Sequence, residues 1–498
     1  MGRGSRPTAV IHIGGKPRTP EEANDLAVKE MRRGNLAGAV DIFNLILAKA
    51  SHPVVYMNKA LALQGMGQHD RALASFDRVI ALAPEVPGSH NHRGLSLHAL
   101  KRYDDALASY DKAIALKPGD FAAYSNRGMT LNALDRYEET LESCEKAVML
   151  GPGHAALHNN YGNALQEMGR FGDALKSYDM ATAIRPDYAE AHWNAGVVRL
   201  MTGDFEGGWR QAEWRWKNRS LGNEQRHFAE PLWLGGSTEG KTIFIYGEQG
   251  MGDVIQFCRY IPMVASHGGE VIVEVAGPLK RLMSGLDGVS ACVTKGEVAP
   301  PFDLQCPILS LPLAFGTRLD TVPAKVPYLR VPAGRDFESE LGRKRKPRIG
   351  IAWSGNPHHV HDRKRSIPFR AFGPLLDVDA TFVSLQKDVR EGDQAALAER
   401  SDILNLGPTL EDFADTAALI AALDLVIAVD TSVVHLAGAL AKPVWVLVPF
   451  LPDWRWLLDR ADNPWYPTTR LFRQTAARDW NDVIGRVRDA LHDFCRAF

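Results

Sequence analysis

Long apolar runs are missing from this chain of 498 residues. Nowhere do about 18 uncharged apolar residues follow one another, so a spanning helix is not expected. The opening M-G-R-G-S-R-P has two arginines but no apolar core behind it, which argues against a secretory leader. Charge of one sign is lacking too: 58 Lys and Arg face 59 Asp and Glu, a balance that offers no global attraction to nucleic acid or to an anionic membrane. Cysteine is scarce, with five residues (Cys144, Cys258, Cys292, Cys306 and Cys495), odd in number and without a C-x-x-C pair. A disulfide framework is thereby excluded and a reducing cytoplasm is expected. No cluster of Asp and Glu marks a Mg²⁺ site.

The first half carries a strict period. Proline recurs at 84, 118, 152 and 186, steps of 34 residues. Ala60, Gly94, Gly128, Gly162 and Gly196 keep the same step, as do Ala72, Ala106, Thr140, Ala174 and Gly208. Period and pattern resemble the tetratricopeptide repeat, in which two antiparallel helices pack through small residues and proline ends the second. Four full repeats, a partial one from about Gly196 and a degenerate one near Asn24 to Ala50 are expected.

A further row, Asn58, His92, Asn126, Asn160 and Asn194, stands two residues before the small-residue row. Asparagine is a poor mid-helix residue, so its recurrence at one phase needs a cause. In tetratricopeptide families this position faces the concave groove, where amides can bond the backbone of an extended peptide. O-linked N-acetylglucosamine transferases hold protein substrates with such a ladder, and the resemblance implies the same use. The alternative is that these side chains bond between neighbouring helices. Beyond Gly207 the pattern dissolves into W-R-Q-A-E-W-R-W, where Trp209, Trp214 and Trp216 either join the last repeat to the next domain or offer a sugar-stacking platform.

From Lys241 short β-branched runs separated by Gly and Pro replace the helical texture. T-I-F-I-Y, a glycine loop, a helix and E-V-I-V-E-V make a β-α-β start, and R-I-G-I-A-W at Arg348 begins a second series. The expected architecture is an α-helical solenoid followed by α/β, with two Rossmann-like lobes. The segments are 1–20, a flexible N-terminus; 21–220, the superhelix; 221–240, a junction; 241–335, the first lobe; and 336–498, the second.

Three stretches carry chemistry. In D-L-V-I-A-V-D-T-S-V-V-H a strand ends at Asp430, and Thr431 and Ser432 open a helix bearing His435. Unpaired N–H groups at such a helix start suit a diphosphate, although Asp430 as a simple cap and His435 in the core are open alternatives. The loop from Gly247, with Gly250 and Gly252, reads G-x-x-G-x-G, the reverse of the dinucleotide fingerprint. Glu274 ends the next strand where a ribose-binding acid would stand, so an NAD enzyme stays open beside a base role or a capping role for Asp253. In A-W-S-G-N-P-H-H-V-H-D-R-K-R-S-I-P, Ser354, Gly355 and Asn356 turn the chain, and the basic run ending at Arg365 would neutralise phosphates or be solvated. His358, His359 and His361 lack the spaced fourth ligand of a zinc site.

Together these stretches resemble the bacterial heptosyltransferase family, inverting glycosyltransferases of the two-lobed GT-B type, over roughly 241–491. The resemblance implies Asp253 as catalytic base and Arg365 at the diphosphate, with Gly250, Gly252, Ser354, Asn356, Gln386, Lys387, Asp430, Thr431, Ser432 and His435 around the nucleotide sugar. Ser432 stands where the family has glycine. The fusion resembles tetratricopeptide-fused enzymes that glycosylate proteins, flagellin among them. It implies a cytoplasmic transferase with no metal and no cofactor beyond a nucleotide-sugar co-substrate. The partner implied is a protein acceptor, not nucleic acid or membrane, and homo-oligomerisation is compatible with the chain. An inactive scaffold and a glycolipid heptosyltransferase are the alternatives.

Overall fold

A computed structural model of the chain describes residues 10–222, 225–359 and 362–498. The chain divides into two compact units, the first ending at Ala191 and the second running from His192 to Phe498.

The first unit opens with an antiparallel hairpin, β1 (Ile11–Ile13) and β2 (Lys16–Arg18), turned by Gly14 and Gly15 at φ +58° and +76°. Two successive positive φ values demand a glycine pair here. Ile11 is buried against Ala23, Ala27 and Ala39, so the expectation of a flexible stretch over 1–20 is corrected for residues 11–18.

Antiparallel helix pairs follow. The degenerate repeat is Pro20–Arg32 with Leu36–Leu47. The four full repeats are Pro53–Gly65 with His69–Leu82, Pro87–Ala99 with Tyr103–Leu116, Phe121–Ala133 with Tyr137–Leu150, and Ala155–Glu167 with Phe171–Ile184. The small-residue row is explained by contact distance. A Cβ on Gly94 would lie 2.5 Å from the Tyr110 ring, one on Gly162 2.5 Å from the Tyr178 ring, and one on Gly128 2.7 Å from Cys144 Sγ. Each pair therefore closes by seating a side chain of its second helix against bare backbone of its first.

The helix Ala189–Met201, which begins three residues before the division, and the helix Phe205–Ala212 precede the sheets of the second unit. The division at Ala191 thus falls inside the superhelix expected over 21–220, because Phe205 and Trp209 are buried against Phe257, Trp454 and Trp465. Trp209 also donates its indole N–H to the Thr317 carbonyl at 2.9 Å. Trp214 stacks on His192 at 4.0 Å, and Trp216 packs beside Phe244 and Tyr246. Trp209 is a packing residue, with no face left for a sugar.

Two all-parallel sheets follow. The first holds β3 (Thr242–Tyr246), β4 (Glu270–Val275), β5 (Val289–Thr294) and β6 (Leu304–Pro307) in the order β5-β4-β3-β6. The second holds β7 (Arg348–Ala352), β8 (Thr381–Ser384), β9 (Leu404–Asn405), β10 (Leu425–Val429), β11 (Val444–Val448) and β12 (Thr469–Arg473) in the order β9-β8-β7-β10-β11-β12. The latter is the doubly wound order, with its switch point between β7 and β10. Residues 323–347, between the two sheets, contain the short helix Glu338–Leu341. The C-terminal helix Trp480–Arg496 buries Val483, Ile484, Val487 and Leu491 in the core of the second sheet.

Gly162→Ala should lower the stability of the helical unit by about 1–2 kcal/mol, the overpacking cost exceeding the better helix propensity of alanine. Gly172→Ala, whose Cβ would meet nothing within 4 Å, should raise it by about 0.5–1 kcal/mol. Denaturant melts of the full chain, followed at the helical circular dichroism band, distinguish the two.

Candidate functional site

The glycine loop leaves the end of β3, the Ser354 loop leaves β7, and Asp430 leaves β10. All three therefore emerge at the carboxyl ends of strands beside the switch points, where open parallel sheets bind ligands.

Two helices bring these loops together. Gly250 is the N-cap of Met251–Phe257 and contributes no side-chain cap; Thr431 is the N-cap of Ser432–Ala439, its Oγ1 accepting the Val433 N–H at 3.3 Å. Asp430 is therefore not the cap. The helices meet at Gly252, where a Cβ would lie 2.9 Å from His435 Cδ2 and 3.4 Å from Ser432 Cα. Asp253, the next residue, stands beside the start of the Ser432 helix. Its carboxylate is 17% exposed and ion-paired with Arg455 Nη2.

Arg455 was not foreseen. It leaves a turn, Trp454–Trp456, whose Asp453 caps it by accepting the Arg455 N–H at 3.0 Å. A W-R-W turn reads as packing in a sequence, and packing is half of its role here: His435 stacks on Trp456 at 5.6 Å, inclined by 16°. The His435 ring also bonds Tyr466 through Nδ1 at 3.0 Å.

Burial governs the charges. Desolvation holds His435 down at about 3, reinforced by Arg455, so the imidazole is neutral. Burial lifts Asp430 to about 6, helped by the negative charge of Asp453 and opposed by Arg365, the Trp456 indole and Arg455. Asp253 is likewise raised by burial, with Arg455 pulling against it and Asp453 adding to it. Asp453 feels the same desolvation, but Arg455 and its hydrogen bonds outweigh it and the carboxyl lies below its ordinary range.

Arg365 comes from the helix Asp362–Arg365 and lies across Gly355, 2.8 Å from where a Cβ there would stand. Its Nε is buried without a hydrogen-bond partner, as is Ser354 Oγ. Buried donors left unpaired are costly, and a polar ligand would relieve them. The Gly355 loop is itself held by Arg390, which donates to the Gly355 carbonyl at 3.2 Å and to Ser366 Oγ at 3.0 Å.

Other expected ligand residues are otherwise engaged. Gln386 Oε1 accepts the backbone N–H groups of Trp353 and Ser354 at 3.3 and 3.2 Å, and its Nε2 donates to the Asp388 carbonyl at 3.2 Å, so it braces the end of β7. Lys387 is exposed and donates to the Glu411 carbonyl at 2.9 Å. Asn356 is exposed and accepts the His358 N–H at 3.0 Å, making the turn. Glu274, considered as a ribose ligand, is buried and paired with Arg226. His361 lies outside the described residues. A second unforeseen cluster underlies the glycine loop: Arg215, 1% exposed, pairs with Glu248 at 2.7 Å and donates to Ser310 at 2.8 Å, and burial pushes Glu248 up to about 7.

The asparagine row divides its polar atoms. Asn58 donates to Asn24 at 3.2 Å, Asn126 to Asn91 at 2.9 Å and Asn160 to Ser125 at 3.0 Å. His92 Nδ1 faces Gln64 Oε1 at 3.1 Å. An amide N–H of each of these three asparagines thus goes to a neighbouring first helix, while among the described residues their carbonyl oxygens accept nothing. Asn194 lies on Ala189–Met201, beyond the unit boundary.

Comparison with known proteins agrees with this layout. Residues 57–121 and 103–155 match the tetratricopeptide repeat family, and 162–203 match a TPR repeat. Residues 381–447, from β8 into β11 and including the Asp430–His435 stretch, match glycosyltransferase family 9 (heptosyltransferase). The chain therefore carries tetratricopeptide repeats followed by a heptosyltransferase-family domain. It is 24% identical over 340 residues to Protein FlbA of Caulobacter vibrioides, covering 60% of this chain and 54% of that protein. The chain thus spans about half the length of that relative. Among solved structures it is similar to TTC0263, a thermophilic TPR protein of Thermus thermophilus, at 18% identity and a TM-score of 0.33, covering 36% of this chain and all of that one. A MamA structure aligns at 19% identity and a TM-score of 0.31, covering 34% of this chain and 94% of that chain.

The two buried groups have opposite linkage to pH. Neutral His435 resists a proton that the unfolded chain takes up below about 6.5, so its contribution is lost on acidification. Asp430 takes up its proton near 6, earlier than the unfolded carboxyl, so it stabilises over the same window. His435→Gln should therefore shrink the fall in Tm between about pH 7 and about pH 5, and Asp430→Asn should enlarge it, by thermal melts.

Proposed function

We propose that this tetratricopeptide array joined to a family 9 glycosyltransferase domain moves a sugar from a nucleotide sugar to a Ser or Thr hydroxyl of a protein, with inversion and without a metal. The observation that carries the reading is the meeting of Asp253 with the Ser432–Ala439 helix start at the Gly252–His435 contact, 2.9 Å for a Cβ, with Arg365 and Arg455 among the same carboxylates.

In this reading the donor diphosphate lies on the helix N-terminus, with Thr431 and Ser432 beside it and Arg365 above. Asp253 takes the proton of the acceptor hydroxyl. The acceptor oxygen forms its bond to the anomeric carbon from the face opposite the nucleotide, and the bond from that carbon to the phosphate oxygen breaks. The nucleoside diphosphate departs with the electron pair, its charge met by Arg365 and the helix N–H groups in a desolvated cleft. Because His435 is neutral, it adds no competing charge and serves as a packing residue behind Gly252.

Protein acceptors are supported by the solenoid. With one amide N–H of Asn58, Asn126 and Asn160 bonded between helices, the carbonyl oxygens are what the row offers to backbone N–H groups of an extended segment. Flagellin is one acceptor to test, in the cytoplasm where such a protein would be met before export.

Asp253→Asn should lower transfer by about 10²–10⁴-fold while a nucleoside diphosphate still raises the Tm as in the wild type. Replacing Asn58, Asn126 and Asn160 together by Ala should raise the acceptor KM and leave donor binding unchanged. Intact mass of candidate acceptors and release of the nucleoside diphosphate are the readouts. Full transfer by Asp253→Asn would remove the base, and labelling of lipid with no effect of the triple change would favour a glycolipid acceptor.

A further inference from the structure

Resting on the transfer reading above, we propose that Arg455 is a positioning residue: it ties the carboxylate of Asp253 in the first lobe to the Trp454–Trp456 turn of the second, holding base and phosphate-binding helix in one register.

Arg455 is 8% exposed and reaches in three directions. Nη2 donates to Asp253 Oδ1 and Nε to Gln256 Oε1, both on the Met251–Phe257 helix, while Nη1 donates to Asp453 Oδ1 at 2.9 Å on its own turn. The guanidinium lies 4.4 Å from the Trp454 ring centre and 5.7 Å from that of Phe257, so aromatic walls set its plane. Its carbonyl accepts the Asn463 side-chain N–H at 2.8 Å, which fixes the turn from behind. A lysine in this place could not serve three acceptors in a fixed fork.

The charges facing Asp253 explain why the tie matters. Asp453 faces it from the turn and Glu248 from its own loop. Asp430, at the end of β10, acts on Arg455 and feels it in turn, and neutral His435 on the helix that follows feels it too. Arg365 acts on Asp430 and His435 from the Asp362–Arg365 segment. Of the charged groups shaping Asp253 itself, Arg455 alone is positive. Without it, burial and Asp453 both oppose ionisation, and a protonated Asp253 accepts nothing from an acceptor hydroxyl. The tie also spans the lobes, since Asp253 follows β3 and Arg455 follows β11.

The test uses the full chain in a thermal double-mutant cycle. In Arg455→Gln the unpaired Asp253 favours its proton in the fold, so stability is retained at low pH and lost as pH rises through the new folded pKa. The Tm deficit of Arg455→Gln should accordingly be larger at about pH 8 than at about pH 5, and Asp253→Asn in the same chain should reduce that growth to the part that Asp453, also paired with Arg455, contributes. A deficit equal at both pH values, or growth that Asp253→Asn leaves undiminished, overturns the proposal. A second readout is nucleoside diphosphate release from a donor panel of UDP-N-acetylglucosamine, GDP-mannose and ADP-heptose with candidate acceptor. The acid limb of kcat/KM for Arg455→Gln should move up by about one pH unit or more, with partial return in Arg455→Lys. A drop uniform across pH marks a merely structural residue and counts against it. Transfer retained by Asp253→Asn removes the base while leaving the melting cycle to decide the tie, so the two failures are distinguishable.

Discussion

The Met251–Phe257 helix reaches the Ser432–Ala439 helix only because residue 252 has no side chain. A methyl group there would stand 2.9 Å from His435 and 3.4 Å from the Ser432 backbone, and both are pinned. His435 is held between Trp456 and Tyr466, and Ser432 follows the cap at Thr431. Everything polar at the site follows from that approach, since it sets Asp253 beside a helix N-terminus and shuts water away from the carboxylates around it.

Desolvation then decides which of those carboxylates stays charged. Asp253, Asp430 and Asp453, the last with its side chain 36% exposed, cluster with Arg365 and Arg455, and their directions diverge: Asp453 is lowered, Asp430 reaches about 6 and Asp253 is raised. The difference is hydrogen bonding. Asp453 receives both the side chain and the backbone N–H of Arg455, whereas Asp430 has the Trp456 indole and more distant arginine charge set against its burial and the charge of Asp453. Groups of one type driven apart by their surroundings are the usual mark of a functional site, as structural networks can be too. Here the unpaired Arg365 Nε and Ser354 Oγ tip the balance toward a site awaiting a polar ligand.

Much of the solenoid was legible because its constraint is local and repeats. Each pair needs a small residue where an aromatic or Cys144 seats, and the 34-residue step prints that need in the sequence. The strand ends carrying Asp253, Asp430 and Ser354 were readable for a similar reason, each being an apolar run that stops at a polar or glycine turn. The N-terminal hairpin was missed, because strands of three residues on either side of Gly14 and Gly15 carry too little periodicity to stand out from a flexible terminus. Arg455, Arg215 and Arg390 were missed too, because their partners are 202, 33 and 35 residues away, and no local pattern encodes which carboxylate or carbonyl they meet. Gln386 shows the converse error: a polar side chain at a strand end suggests a ligand contact, yet its oxygen already satisfies two backbone N–H groups of the neighbouring strand.

The same accounting reshapes what the asparagine row can do. An amide that is free at both ends can read a peptide backbone in either direction, accepting from its N–H and donating to its carbonyl. In Asn58, Asn126 and Asn160 one donor is committed to a neighbouring first helix, which orients the side chain and leaves the carbonyl as the unengaged acceptor. That commitment lowers the entropy lost on binding, because the rotamer is already chosen. Each amide keeps a second N–H beside its carbonyl oxygen, so the row still offers a donor as well as an acceptor at the spacing of the repeats. His92, turned to Gln64 and stacked at 5.9 Å on Phe76, interrupts the series at its second step, and a segment lying along the row would bridge that position without an amide contact.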